Sequence, residues 1–221
     1  MSICDAITLL RNELPQQVKL IAVSKLKSVE NIKEAYACGQ RAFGENYVQE
    51  LIEKRPQLPG DIEWHFIGHL QSNKVKYIAP FVSWIHGVDS LKLLTEINKQ
   101  ALKNQRKISC LLQMHLGDET SKHGFLIQQA PTIAESILAM SLEGVNICGL
   151  MGMGSLSDDT HVTEREFNEL ADVFLQLKTQ FFQDQLQFTE ISMGMSGDYS
   201  IAIRKGSTMV RIGSTIFGNR K

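Results

Sequence analysis

The feature that most constrains this chain is an alternation. Short apolar runs and longer helical stretches follow one another along almost its entire length. The runs lie at 18–24, 41–44, 64–67, 84–88, 108–115, 145–151, 188–192 and 209–212. Between and after them come helical segments at 28–38 (closed by Gly39), 46–54 and 71–79, then one that Asp89 or Ser90 can cap. The rest lie at 127–140, 162–182 and 198–205, with a short last turn at 214–218. A further helix over 2–13 sets Ile3, Ala6, Ile7, Leu9 and Leu10 on one side and stops at Pro15. Strands buried on both faces read as continuous apolar runs, and strict β/α alternation means a parallel sheet. Eight such units predict an α/β fold, a closed (β/α)8 TIM-type barrel with an extra N-terminal helix. At 221 residues it stands at the compact end of the range. The rival is an open doubly wound sheet, with fewer strands and a glycine fingerprint after the first strand. Here the first run ends Ser24-Lys25-Leu26-Lys27 instead. No linker or charge block divides the chain, so residues 1–221 are expected to form one domain.

Composition narrows the function. Lys and Arg number 23 against 24 Asp and Glu, a net charge of -1 that argues against a protein built around nucleic acid. Lys54, Arg55, Lys74 and Lys76 are expected to form a solvated helical face. The N-terminus shows no signal peptide, and no run approaches the roughly 18 apolar residues of a membrane span. Cys4, Cys38, Cys110 and Cys148 are widely spaced, with no CxxC pair. The expectation is four reduced cysteines in a cytoplasmic protein, with no disulfide framework and no metal site. His65 and His69 have HxxxH spacing, but Gly68 intervenes at a strand end, so each is expected to be a core or rim histidine.

In a barrel the chemistry sits at the carboxyl ends of the strands. Lys25 closes the first. Desolvation at a barrel mouth lowers an amine's pKa and suits it to attack a carbonyl, although a snorkelling lysine is the plain alternative. Ser196-Gly197 follows the seventh run and Gly213-Ser214 the eighth, where barrels often bind phosphate on backbone N–H groups. A lysine across the mouth from a phosphate cradle points to pyridoxal phosphate (PLP). Arg211 shares a strand face with Gly213 and is placed to meet the pyridine nitrogen, or else to be an ion-paired rim arginine. Glu45 reads as a general base or a helix-start acid, and Lys122 as a loop lysine able to reach the mouth.

Six segments carry a resemblance. They are Ile-Ala-Val-Ser-Lys at 21–25, Phe-Gly-Glu-Asn-Tyr-Val-Gln-Glu at 43–50 and Trp-His-Phe-Ile-Gly-His-Leu-Gln-Ser-Asn-Lys at 64–74. Gly-Leu-Met-Gly-Met at 149–153, Ser-Met-Gly-Met-Ser-Gly-Asp at 192–198 and Gly-Ser-Thr-Met-Val-Arg-Ile-Gly-Ser-Thr-Ile-Phe-Gly at 206–218 complete the set. In this order they resemble the PLP homeostasis protein family, related to the N-terminal barrel of alanine racemase. His69 departs from the residue many members carry. The resemblance implies PLP held as a Schiff base on Lys25. It implies Ser196, Gly213 and Ser214 on the phosphate, Arg211 at the pyridine nitrogen, and Asn46 and Met193 nearby. It implies a regulator of PLP supply and amino-acid balance without established catalysis, with apo PLP-enzymes as transient recipients. The lack of an evident assembly stripe suggests a monomer.

Two enzyme readings compete. An amino-acid racemase needs a second base opposite the lysine, which Tyr47 or Tyr199 would have to supply, both of them structural by default. A class I aldolase-like Schiff-base enzyme is less favoured, because its lysine generally ends a later strand.

Overall fold

The computed structural model describes residues 1–117, 123–155, 157 and 159–218. In chain order the elements are α1 (Ile3–Glu13), β1 (Lys19–Val23), α2 (Val29–Ala37), β2 (Ala42–Glu45), α3 (Val48–Lys54), β3 (Glu63–Phe66), α4 (Val75–Ile78), β4 (Trp84–Val88) and α5 (Leu91–Lys103). There follow β5 (Ile108–His115), β6 (Phe125–Leu126), α6 (Ala130–Leu138), β7 (Val145–Met151), α7 (Thr160–Gln180), β8 (Glu190–Ser192), α8 (Tyr199–Arg204), β9 (Met209–Ile212) and α9 (Ser214–Phe217). Around the sheet the order is β1-β2-β3-β4-β5-β7-β8-β9, and β9 pairs with β1 to close it. All pairings are parallel, so the expected eight-stranded barrel is present. The sequence reading lacks one element, the two-residue β6, which adds to the end of β5 through Met114↔Phe125 and His115↔Leu126.

Period-2 alternation divides each strand between two cores. In β1, Leu20 and Ala22 face the helices, where they join Phe43, Phe66, Phe167 and Phe188 in the large outer core. Ile21 points the other way, into a smaller cluster with Ala42, Leu111, Cys148, Met151 and Met209 that fills the barrel. Burying both faces explains why the strands read as unbroken apolar runs. The helices start where the sequence provides caps. Ser2 and Asp5 make reciprocal 3.1 Å bonds at α1, and Ser28 and Ser90 accept from Asn31 N and Leu93 N at α2 and α5.

The cysteine expectation requires correction. Cys4, in the first turn of α1, is bonded to Cys38 at the end of α2, across a Cα–Cα distance of 5.4 Å. Packing of α1 against α2 joins residues 34 apart, a proximity that no local spacing records. Cys110 and Cys148 are free and buried. Among the described residues no helix is long and apolar enough to cross a membrane.

Candidate functional site

At the carboxyl ends of β1, β8 and β9 the barrel opens into a cavity of about 260 Å³, near the lower limit for small-molecule sites. Lys25, Asn46, Ser196, Arg211, Gly213 and Ser214 all line it, together with Val23, Ile67, Met153 and Met195. Pairing of β1 with β9 sets Ile21 beside Arg211 and Ala22 beside Ile212, so Lys25, just past the end of β1, follows the strand next to the one that carries the arginine. Gly213 packs so close to β1 that an added Cβ would stand 3.1 Å from the Val23 carbonyl oxygen. Ser196 Oγ accepts from Gly213 N at 3.4 Å, joining the two loops of the expected phosphate cradle. Lys27 Nζ donates to the Phe217 and Gly218 carbonyls at 3.0 and 3.1 Å and ties α9 to the loop after β1.

Met193 is the site residue that the structure moves. Its side chain is fully buried in the outer core, and Met195 lines the cavity instead. Two residues apart on a regular strand would share a face, but Gly194 adopts φ +95°, a left-handed conformation that turns the chain between them. A Cβ there would lie 2.6 Å from that of Ala202. Tyr47 is half exposed, and Tyr199 donates to Glu13 at 2.8 Å. Neither lines the cavity. Lys122 lies outside the described residues.

Two polar networks support the site, and sequence reasoning missed both. The first grips the residues around Lys25. Lys54 Nζ donates to the Ser24 carbonyl at 2.8 Å, to Glu45 Oε1 at 2.8 Å and to Glu50 Oε1 at 2.5 Å. Ser24 Oγ donates to Glu45 Oε1 at 2.6 Å, and Leu26 N donates to Glu50 Oε1 at 2.5 Å. That last bond holds Leu26 at φ +60°, a strained conformation for a leucine, immediately after Lys25. Lys54 is therefore buried and does not belong to the solvated face expected for it. Glu45 is neither a general base at the cavity nor a helix-start acid. It ends β2, fully buried, and burial pushes its carboxyl upward while Lys54 pulls it back.

The second network runs along the barrel axis and ends on the cavity. Arg211, buried and held by burial at about 10, donates through Nη1 to the Ser192 carbonyl at 2.8 Å and to Ser192 Oγ at 2.7 Å. Nη2 donates to the Gly152 carbonyl at 3.0 Å. Three of its five N–H groups are thus engaged. Ser192 Oγ also lies 2.9 Å from His86 Nδ1, within hydrogen-bond distance. His86 Nε2 is in turn 2.9 Å from His65 Nδ1, so one of the two ring nitrogens donates to the other. His65 Nε2 stands 3.3 Å from Glu63 Oε1, an ion-pair approach too poorly aligned to count as a hydrogen bond. Burial depresses both histidines. Burial opposes the ionisation of Glu63, but His65 and Lys19 overcome it and bring the carboxyl to about 2. His65 and His69 are separate, as expected: His65 belongs to this chain and His69 to the rim.

The parallel barrel presents an amine, a guanidinium and a hydroxyl-and-amide cradle around one small cavity, the groups that a phosphorylated carbonyl ligand would engage. The family model of the alanine racemase N-terminal domain matches residues 3–221, and the chain belongs to that family. It is 42% identical to the pyridoxal phosphate homeostasis protein of Pasteurella multocida (strain Pm70) over 208 residues, 92% of this chain and 87% of that one. The solved structure of PipY from Synechococcus elongatus PCC7942 with PLP bound is 37% identical, with a TM-score of 0.86, covering 98% of this chain and 100% of that chain. Alanine racemase of Clostridium difficile 630, at 16% identity and a TM-score of 0.79, covers 99% of this chain and 57% of that chain, a likeness of fold alone.

Proposed function

We propose that this chain binds pyridoxal 5'-phosphate at the β1/β8/β9 side of the barrel mouth and serves PLP homeostasis. It would hold the cofactor on Lys25 and release it to recipients. The observation that carries the reading is the convergence of Lys25, Arg211, Ser196, Gly213 and Ser214 on one cavity. The relatives named for PLP homeostasis and the PLP-bound PipY structure support it. The residues present also fit the group. Asn46 Oδ1 is buried without a hydrogen-bond partner in the cavity wall, and a Cβ added at Gly197 would meet open space. Ser196 and the backbone N–H groups of Gly213 and Ser214 would bind the phosphate. Arg211 would face the pyridine nitrogen, and since guanidinium offers only donors it would keep that nitrogen an acceptor. When bound, PLP supplies an aldehyde that reacts reversibly with a primary amine.

In this reading the chain works as a cytoplasmic monomer, one domain over 1–221, with apo PLP-enzymes as transient recipients and no catalytic turnover of its own. The test is visible absorbance of the purified protein, then borohydride reduction and peptide mapping. A phosphopyridoxyl group on the Lys25 peptide, lost in Lys25→Ala, is expected. Failure to take up added PLP would overturn the binding, and PLP that stays put during long dialysis against an apo-enzyme would overturn delivery. Multi-turnover racemisation abolished by Lys25→Ala would restore the enzyme reading.

A further inference from the structure

On the other side of the mouth, at the ends of β3, β4 and β5, three side chains that no motif connects come together. His69 follows β3, Asp89 follows β4 directly, and His123 stands two residues before β6. His69 Nδ1 lies 3.0 Å from Asp89 Oδ2, and His123 Nδ1 lies 4.0 Å from the same oxygen. The two imidazoles stack, with centroids 3.8 Å apart and planes 12° from parallel. One ligand atom from each residue falls within 4.8 Å of the other two.

We infer that His69, Asp89 and His123 form a binding site for a divalent cation of the zinc class. Two imidazole nitrogens and a carboxylate oxygen are a donor set that zinc takes, with three protein ligands and one open position. Zinc bonds of about 2.0–2.2 Å in a tetrahedron set ligand atoms roughly 3.3–3.6 Å apart, and the two distances on Asp89 bracket that range. A hydrogen bond satisfies only the shorter contact. At 4.0 Å the second imidazole is out of hydrogen-bond reach; rotation of the two exposed rings out of their stack would turn both in-plane nitrogen lone pairs toward one shared cation.

The support around the ligands is built in. Ser90, not Asp89, caps α5, which leaves the Asp89 carboxylate to the histidines. Gln113, buried on β5, donates to the His123 carbonyl at 2.9 Å and fixes that backbone. Gly68 allows the β3 loop to pass against β2, since a Cβ there would stand 2.4 Å from the Asn46 carbonyl oxygen. The carboxylate is mostly covered while both rings reach the surface, so an ion can enter from solvent.

The test uses full-length protein, chelator-treated and with Cys4–Cys38 verified as oxidised, titrated with Zn2+ against a chromophoric chelator. One Zn2+ per chain is expected, with the visible bands of tetrahedral Co2+ on substitution and a higher Tm with Zn2+. Since loss of an outer-sphere partner alone costs about 10–100-fold, His69→Ala, Asp89→Asn and His123→Ala should each weaken binding by at least about 10-fold. Each should abolish the Tm rise while leaving the far-ultraviolet circular dichroism unchanged. No stoichiometric uptake, or uptake that survives all three substitutions, would overturn the site and leave a histidine–carboxylate contact only. None of the three residues lines the proposed PLP cavity, so either proposal can fail without the other.

Discussion

Lys54→Met isolates the network behind Lys25. Methionine retains the apolar stem of lysine and removes the ammonium that pairs with Glu45 at 2.8 Å. Glu45, with no exposed surface, then has to remain charged without its cation or take up a proton. Uptake limits the cost. Protonating a carboxyl of ordinary pKa, about 4.3, costs roughly 1.36 kcal/mol per pH unit, hence about 3.7 kcal/mol at pH 7 and about 1.6 at pH 5.5. The neutral figure agrees with the roughly 3–5 kcal/mol lost when a buried pair is broken from one side. The sign follows from linkage. A carboxyl raised by folding is protonated in both states at low pH, and the variant loses stability as pH rises from the unfolded toward the folded pKa. Urea denaturation of parent and variant at pH 5.5 and 7 should give a difference near 4 kcal/mol that falls by about 2 in acid. The Tm loss at pH 7 should be roughly 8–15 °C for a chain of this size. Glu45→Gln with Lys54→Met should recover most of it. A loss below about 1 kcal/mol, no change with pH, or a double variant no better than the single would refute the reasoning.

Other outcomes follow from the same geometry. Ser192→Ala removes an acceptor from Arg211 and the hydrogen-bond partner of His86 Nδ1, and should destabilise by about 1–3 kcal/mol in calorimetry. A Tm within experimental error of the parent would deny the axial chain any energetic role. Burial depresses His65 and His86, so the unfolded chain binds protons there that the folded chain does not. Stability should fall as pH drops below about 6.5, by up to about 1.4 kcal/mol per pH unit for each histidine, and a flat urea midpoint from pH 7 to 5 would contradict this. Reducing Cys4–Cys38 opens a loop with a sequence separation of 34 and should cost about 3–4 kcal/mol, lowering Tm, unless Cys4→Ser/Cys38→Ser unfolds at the temperature of the oxidised parent.

What the chain alone determined was whatever depends on near neighbours. Apolar runs mark strands because both their faces are buried, and the position of Lys25, Ser196 and Gly213 at strand ends directs them to the mouth without any knowledge of packing. Tertiary structure decided what depends on a turn of the backbone or on elements meeting around the barrel. Met195 replaces Met193 because one glycine reverses the strand's alternation, which hydrophobicity does not register. His86 finds Ser192, 106 residues away, because β4 and β8 both project into one narrow interior. Lys54 reads as a surface lysine in a helix, and only its approach to Glu45 and to the Ser24 carbonyl makes its burial favourable. Cys4 with Cys38, and His69 with Asp89 and His123, are likewise products of closure: sequence periodicity determines which way a side chain faces, and only the completed barrel determines what it faces.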